Sequence, residues 1–580
     1  MFSVGFLQRS ESGFAAATAA LALCLAGCDR AAPQDGIARF EVKRAGQTVS
    51  LGVFDASGNL VGQPLQAKRV GPGVQSVDLR GLGLPEGDYR WKAVATGPRR
   101  LIPLGSAGTG LPRAQGGGGP AIVGGEKGPP GAVAADEAGR VFLGWRMASE
   151  GHEVVACDPE GTVLWGYDHG PGASGVWDLA VDGGVVFVLG GKEGADADGG
   201  AIYKLDAATG APIPWEGREG RELPIGALWA QDGTPKPQRA EYLAADNGRL
   251  YLTFAKEQFI AVIDAATGAY VITLTAPAPG RMALATTPMT VPGEPERTKV
   301  IDFGISVVAG NGLAYFLMEH DPPWVMLSTT RWLPEDDRIA AIALQGDPMR
   351  SGDLTIYTAL GDPHHQIQRR AVDSAERFQG TIGEQGGRAA VGPWRPDAVR
   401  DVRGMAVDAK GRLWVVECDG SFGRFTVWET AGPTGRLLRE IVGPLSGSDL
   451  SVDPADPTRV AADGLVWRVD PSTRMVACEA SGPPPWTSKP LETEWRDADG
   501  LVLWRGEPAD FGLERKPVAW SFHPVAGRDP IVWARGFGLH AFALEGSEAP
   551  RTIAEGRVRI VPSPDGFGGP AATGTPLGAR

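Results

Sequence analysis

Two segments of the 580-residue chain place histidine beside carboxylate residues. They are Glu319-His320-Asp321 and Asp362-Pro363-His364-His365. Imidazole nitrogens and carboxylate oxygens are common ligands of divalent metal ions, so these residues could hold calcium or zinc, although the sequence as a whole predicts no cofactor. The same groups could instead hold an anionic glycan.

Three further ionisable residues, Arg388, Glu417 and Asp419, are candidates for the same face. Glu417 and Asp419 follow the apolar run LWVV, which is typical of a strand, and Arg388 lies earlier in the chain, in the link segment that precedes this copy of the repeat. We predict one ligand or metal face formed by these three residues and the two histidine segments. Two alternatives stay open: the segments are solvated turns, as polar loops usually are, or His365 points into a sheet.

The elements that must position these residues belong to a loose internal repeat. Each copy has an apolar run, an Asp or Asn with Gly, a second apolar run, a polar gap and a third run. The equivalent positions are Asp136, Asp182, Asp246, Gly310, Asp353, Asp408, Asp453 and His523. Their spacings suit four-stranded blades of about 40–50 residues with variable loops. The sequence therefore predicts an all-β protein with a β-propeller of seven or eight blades over residues 130–562.

Antiparallel alternation predicts where the candidate residues lie in such a propeller. In a four-stranded blade, the loop after the second strand and the link to the next blade open on one side. Each histidine segment comes after a run that we interpret as a second strand. We therefore expect all nine candidate residues near the mouth of the central channel.

Two sets of motifs resemble known families. The copy GMAVDAKGRLWVV (residues 404–416) resembles an NHL repeat, and residues 49–61 with LPEGDYRWK (84–92) resemble the Ig-like module of flagellar hook-capping proteins. Together they resemble a family of uncharacterised exported bacterial propellers with an Ig-like β-sandwich in front. The resemblance implies such a module at residues 38–100. The NHL class also includes metal-assisted lyases and lactone hydrolases with a divalent ion in the channel.

The N-terminus resembles that of a bacterial lipoprotein. Residues 14–27 form an uncharged apolar run that is too short to span a bilayer and has the length of a signal-peptide core. It ends in Leu25-Ala26-Gly27-Cys28, which resembles a lipobox. This predicts a signal peptide at 1–27, lipidation of Cys28, a tether at 28–37, and a membrane-anchored protein facing the periplasm or the cell surface.

Composition defines the remaining segments and excludes one class of partner. The net charge of −13 leaves no basic footprint for nucleic acid. The Gly-rich residues 101–129 predict a linker, and residues 563–580 a disordered tail. Cys157, Cys418 and Cys478 lie in or next to apolar runs, and we expect buried structural thiols.

These observations favour a lipid-anchored binding or scaffold module for a protein or glycan at the cell envelope. The alternative from another class is a metal-assisted lyase or lactone hydrolase, and a purely structural envelope role also remains open. Convergence of ionisable groups from three or more blades within metal-bond distance at the axis would favour the enzyme, whereas a broad aromatic or polar loop surface would favour the binding module.

Overall fold

The computed structural model shows an all-β protein, which confirms the predicted class. It describes residues 34–97, 99–107, 130–145, 153–168, 173–192, 200–229, 239–291, 294–309, 311–320, 323–330, 338–346, 353–371, 377–419, 422–443, 449–513, 516–525, 530–536, 538–546 and 550–561. The predicted signal peptide, Cys28 and the segment 563–580 lie outside the described residues. Within the described part of the chain, no helix has the length and apolar character needed to cross a bilayer.

The chain divides into two compact units, of which the first combines residues 1–100, 493–506 and 545–580. Its larger sheet has five strands, in the order Gln34–Asp35, Arg551–Ile560, Gly87–Thr96, Thr48–Phe54 and Leu60–Arg69. Two strand pairs and one 3-10 turn complete it: Ile37–Val42 with Gly73–Asp78, Glu494–Arg496 with Val502–Arg505, and Arg80–Leu82. Ser57-Gly58-Asn59 lies in the hairpin turn between the antiparallel strands Thr48–Phe54 and Leu60–Arg69.

One strand of this unit was assigned to the propeller by the sequence. Arg551–Ile560 lies between Gln34–Asp35 and Gly87–Thr96 instead of joining a blade. Its alternate residues Val558 and Ile560 are buried in the same core as Trp91. This strand therefore does not belong to the propeller, although the predicted propeller range 130–562 includes it. Its apolar face completes the core of the first unit.

The second unit, residues 101–492 and 507–544, contains six consecutive four-stranded antiparallel blades. Blade 1 comprises Pro130–Ala135, Val141–Trp145, Val154–Cys157 and Val163–Tyr167. Blade 2 comprises Ala173–Asp182, Val185–Lys192, Ala201–Asp206 and Pro212–Ile213, with Glu222–Pro224 beside the third strand. Blade 3 comprises Tyr242–Asp246, Arg249–Phe254, Phe259–Asp264 and Tyr270–Thr275. Blades 4 to 6 comprise Pro279–Val291, Glu294–Val308, Gly312–His320 and Pro323–Thr330; Ile339–Gln345, Thr355–Leu360, Ile367–Ala371 and Phe378–Ile382; and Val402–Val407, Arg412–Asp419, Phe422–Glu429 and Arg436–Val442. A 3-10 turn, Ile225–Trp229, follows blade 2.

The six blades close a ring, because each first strand contacts the next and the first strand of blade 6 contacts that of blade 1. A Cβ added at Gly404 in blade 6 would lie 3.2 Å from Val133 Cγ1 in blade 1. Trp145 of blade 1 and Trp414 of blade 6 share one buried core across this junction. The predicted count of seven or eight blades is therefore wrong, since the closed junction leaves no place for another sheet.

The last two repeats of the sequence form separate sheets that pack on each other. The first additional sheet contains Ser451–Val452, Arg459–Ala462, Leu465–Asp470 and Met475–Ser481, with Gly392–Pro393 at its edge. The second contains Ala519–His523, Ile531–Gly536, Gly538–Gly546 and Arg99–Ala107, and a 3-10 turn, Pro508–Phe511, precedes it. Trp467 and Trp533 lie in their shared core, and Arg535 pairs with Asp463 inside it. Residues 101–107, expected to be linker, are thus the fourth strand of a sheet.

The repeated aspartate of the sequence motif builds a turn. Asp408 Oδ1 accepts hydrogen bonds from the backbone N–H groups of Lys410 and Arg412 at 2.9 and 3.0 Å, and its Oδ2 pairs with Arg412 Nε at 2.8 Å. Asp136 and Arg140 repeat this arrangement in blade 1. The aspartate therefore stabilises the turn between the first and second strands, which is a structural role.

Candidate functional site

The ring has two ends, which differ in what they carry. We call the end where each first strand begins the mouth end, and the opposite end, where first and second strands connect, the turn end. The blade 5 loop with Asp362, His364 and His365 lies at the mouth end, and so does Asp419, the last residue of the second strand of blade 6. The side chain of Asp419 is outside the described part of the structure.

The blade 5 loop forms one contact of the predicted kind. His365 Nε2 lies 3.6 Å from Asp362 Oδ1, but the His365 side chain is buried whereas that of Asp362 is 90% exposed. A Cβ at Gly387 would lie 2.3 Å from His365 Cβ, so the link segment covers this histidine. His365 therefore packs inside the protein, which is the alternative left open for it.

Arg388 and Glu417 do meet, but not on an open face. Both side chains are fully buried, and Arg388 Nη2 lies 3.4 Å from Glu417 Oε2. Arg424 Nη1 binds the other Glu417 oxygen at 2.6 Å. Burial raises the pKa of Glu417, and Arg424 and Arg388 oppose that increase. The expectation that these two residues face a ligand is corrected, because they form a buried ion cluster in the protein interior.

Glu319 and His320 lie at the other end of the ring. The run SVVAGNGLAYFLM (306–318) was interpreted as a first and a second strand, but it contains the end of the second strand, Glu294–Val308, and most of the third, Gly312–His320. A third strand runs towards the turn end, so Glu319 and His320 end there. The prediction of one shared face is wrong for these two residues, because a long hairpin, Pro279–Val291 with Glu294–Val308, precedes them. Asp321 and the side chains of Glu319 and His320 are not described.

The described part of the chain contains no set of ligands for the calcium or zinc ion considered in the sequence analysis. There, no three His, Cys, Asp or Glu residues lie close enough together to share a metal ion. Cys157 is buried and Cys418 and Cys478 are half-buried, and none of the three forms a disulfide with another cysteine in the described residues. Burial raises the pKa of the Cys157 and Cys478 thiols, which favours their neutral form.

The sequence did not indicate the residues that occupy the mouth end of the channel. Arg281 of blade 4 reaches across the ring: its guanidinium lies 3.2 Å from Asp178 Oδ1 of blade 2 and donates to Gly131 O of blade 1 at 3.3 Å. It also stacks on Tyr242 of blade 3, 4.6 Å from the ring centroid. Asp178 Oδ2 accepts the Leu243 N–H at 2.9 Å. Burial raises the pKa of Asp178, and Arg281 opposes this.

This pair places a permanent positive charge where four blades converge. A guanidinium stays protonated at all physiological pH values, so it repels a divalent cation at the same position. The arrangement suits a structural plug of the channel better than a metal centre.

The turn end carries a groove between blades 5 and 6, with a volume of about 820 Å³. Its lining residues come from two blades and are mostly polar: Gln345, Gly346, Asp353, Thr355, Tyr357, Arg369, Gln379, Lys410, Gly411, Arg412, Glu429, Thr430, Ala431 and Leu438. This volume is in the range of ordinary small-molecule sites. We call it the blade 5–6 groove, and it is the candidate site of this structure.

Hydrogen bonds within each wall hold the polar groups of the groove. Tyr357 Oη donates to Gln345 Oε1 at 2.5 Å, and Thr355 Oγ1 donates to Gln379 Oε1 at 3.2 Å. Burial raises the pKa of Tyr357, so its hydroxyl remains a donor at neutral pH. Lys410 and Arg412 flank the repeated aspartate turn, and Asp353 is the equivalent repeat position of blade 5, whereas Gln345, Tyr357 and Gln379 belong to no motif of the sequence.

Six four-stranded antiparallel sheets that close on themselves define a β-propeller. No protein-family model and no curated protein sequence matches the chain. Solved structures that resemble it include a protein from Lactobacillus plantarum (12% identity, 69% of this chain, 97% of that chain, TM-score 0.34). A second is the SapL1 lectin in complex with alpha methyl fucoside (12% identity, 54% and 96% coverage, TM-score 0.32). A third comes from a nidogen/laminin complex (10% identity, 52% and 90% coverage, TM-score 0.30). Similarity this low carries no argument about function.

Proposed function

We propose that the protein is a lipid-anchored β-propeller outside the cytoplasm that binds a protein or glycan of the cell envelope. The observation that carries the binding role is the blade 5–6 groove, which has the size of a ligand site and is lined by hydrogen-bonding groups. The anchor rests on the residues Leu25-Ala26-Gly27-Cys28 after an apolar run. The NHL-like and Ig-like resemblances of the sequence agree with an exported protein of this type.

The alternative, a metal-assisted lyase or lactone hydrolase, gains no support from the geometry. Its divalent ion would occupy the channel, where Arg281 and Asp178 pair with each other. A binding role needs no group at that position. We therefore place ligand binding in the groove at the turn end.

The anchor is tested by replacing Cys28. Cys28→Ser should move the protein from the membrane fraction to the soluble extracytoplasmic fraction and abolish labelling by radioactive palmitate. The matched control is Cys24→Ser, which lies in the same apolar run and should change neither result. Membrane attachment that survives Cys28→Ser would exclude this anchor.

The groove is tested with a chain that begins at residue 30 and so keeps every described element. Leu438 lines the groove and is 40% exposed, so Leu438→Trp should fill the groove without disturbing the core. We expect binding to purified envelope polysaccharides or envelope proteins to weaken by about tenfold or more. The control Met475→Trp, at an exposed position outside the groove, should bind normally. Equal binding by both variants would exclude the groove.

A further inference from the structure

We propose that the blade 5–6 groove binds an uncharged stretch of a polysaccharide chain. This inference rests on the proposed binding function and names the class of ligand. Three properties of the groove support it: hydrogen bonds join its two blades, most of its charged side chains have partners within the protein, and neutral side chains that can donate hydrogen bonds are held in place.

Hydrogen bonds to backbone groups join the two blades that form the groove. Thr381 N–H of blade 5 donates to Pro433 O of blade 6 at 3.1 Å, and Gly435 N–H donates to Thr381 O at 3.0 Å. The guanidinium of Arg369 donates to Gln379 O at 3.0 Å and also to Gly432 O. These bonds fix the distance between the walls, so a ligand would meet a preformed site.

Most charges of the lining have partners within the protein. Lys410 Nζ lies 2.9 Å from Glu160, Arg412 Nε lies 2.8 Å from Asp408, and Glu429 lies 2.8 Å from Arg436. Within the lining, the remaining charges are Arg369, whose N–H groups serve carbonyl oxygens, and the exposed carboxylate of Asp353. Among the described lining residues these two opposite charges balance, so those residues offer no excess positive charge to a phosphate, sulfate or uronate.

Asp353 adds a specific argument against anionic ligands. An exposed carboxylate at the edge of the groove repels an anion, but it accepts hydrogen bonds from hydroxyl groups. Adjacent hydroxyl groups of a sugar are suitable donors to such a carboxylate. The charge pattern therefore favours a neutral ligand that is rich in hydroxyls.

The neutral side chains supply the complementary donors. Because the carbonyl oxygens of Gln345 and Gln379 accept from Tyr357 and Thr355, their amide N–H groups remain to donate to a ligand. The only aromatic side chain of the lining, Tyr357, is buried, so a nucleobase would find no ring to stack on. Amide donors and a carboxylate acceptor without an aromatic platform match sugar hydroxyls better than a nucleotide.

The test uses the chain from residue 30 and isothermal calorimetry with defined hexasaccharides. The neutral probes are hexamers of glucose, mannose, galactose and N-acetylglucosamine, and the anionic probes are hexagalacturonate and a heparin hexasaccharide. We expect at least one neutral probe to bind, with an affinity that stays constant between roughly 0.05 and 0.5 M NaCl. Gln345→Leu and Gln379→Leu should each weaken it about tenfold, because each removes amide donors.

Each possible outcome supports or overturns the inference. Met475→Trp is the control for the binding surface, and near-ultraviolet circular dichroism shows that each variant is folded. Binding of an anionic probe that weakens with salt, or neutral binding that ignores both glutamine variants, overturns the sugar assignment. Binding of an envelope protein that Leu438→Trp blocks, without sugar binding, overturns it too and leaves the proposed function standing. Absence of any ligand, sugar or protein, overturns both.

Discussion

The buried ion cluster around Glu417 stabilises the fold, even though its residue types had suggested a ligand site. Glu417 lies between Arg388 and Arg424, and Arg424 also binds Glu440 Oε1 at 2.6 Å. Arg388 and Arg424 both lie near the ring of Trp394, at 4.4 and 5.5 Å from its centroid. The cluster thus ties the segment before blade 6 to the blade itself.

Removing one member of this cluster leaves a buried charge without its partner. Arg424→Met should therefore lower the free energy of unfolding by about 3–5 kcal/mol, as measured by urea denaturation. The control Arg436→Met breaks an exposed pair with Glu429 and should cost less than about 1 kcal/mol. Similar losses for the two variants would contradict a structural role for the cluster.

His523 gives the protein a pH-dependent stability. Burial lowers its pKa to about 4, with a smaller contribution from Lys489, and Ser521 Oγ lies 2.8 Å from its Nε2. The unfolded chain takes up this proton near pH 6.5 and the folded chain only near pH 4, so protonation favours unfolding. The contribution of neutral His523 to the free energy of unfolding is therefore fully present above about pH 6.5 and decreases as the pH falls towards 4.

Protonation of His523 should lower the free energy of unfolding at pH 5 by about 2 kcal/mol relative to pH 7. His523→Gln keeps a polar side chain that does not titrate and should reduce the pH dependence by that amount. Urea unfolding of both proteins at pH 7 and pH 5 measures it. An unchanged dependence in the variant would show that other groups cause the acid sensitivity.

At the scale of elements, the clearest finding is that a C-terminal strand completes the first unit. In Arg551–Ile560, Val558 is fully buried and its neighbour Arg559 is exposed. Val558→Asp would bury a carboxylate without a partner and should destabilise the first unit by about 3 kcal/mol or more. Arg559→Asp should change its stability by less than about 0.5 kcal/mol.

Hydrogen exchange of the backbone amides in Gly87–Thr96 is the measurement for this strand, because Arg551–Ile560 pairs with that segment. Val558→Asp should accelerate their exchange, and Arg559→Asp should not. Protection that survives in Val558→Asp would mean that the first unit does not depend on the C-terminal strand.

The strands themselves could be predicted from the sequence, but their grouping could not. Alternating apolar residues and the Asp408-type turn indicate each hairpin locally, and the same pattern occurs in the two additional sheets. What limits the ring to six blades is contact between Gly404 and Val133, which are far apart in the chain. Likewise, the long hairpin of blade 4 moved His320 to the opposite end without any break in the apolar pattern.

The candidate groove was beyond prediction for a similar reason. Lys410 and Arg412 surround a turn that the repeat makes visible, but their partners across the groove, such as Gln345 and Gln379, lie on another blade. Neutral amides and hydroxyls form no recognisable motif. Only the packing of the two blades shows that these groups face one cavity.

At the scale of the whole ring, closure between blades 6 and 1 can be tested by a cross-link. A Cβ at position 404 would lie 3.8 Å from Ala132 Cα, which places Cβ atoms at these positions near the range of a disulfide. Gly404→Cys with Ala132→Cys should form this bond on oxidation, seen as faster migration of the denatured chain and as the cross-linked peptide in mass spectrometry. Each single variant is the control for the native thiols. A ring with more blades would keep these positions apart and give no cross-link.

The order in which the chain is made has a consequence for its assembly. Gln34–Asp35 is synthesised long before Arg551–Ile560, the strand with which it pairs. The early strand Arg99–Ala107 likewise waits for residues 519–546. During synthesis, the edges of these early strands therefore stay unpaired until their partner strands have been made. Unpaired strand edges pair readily with other chains, so we expect the partly synthesised protein to be prone to aggregation.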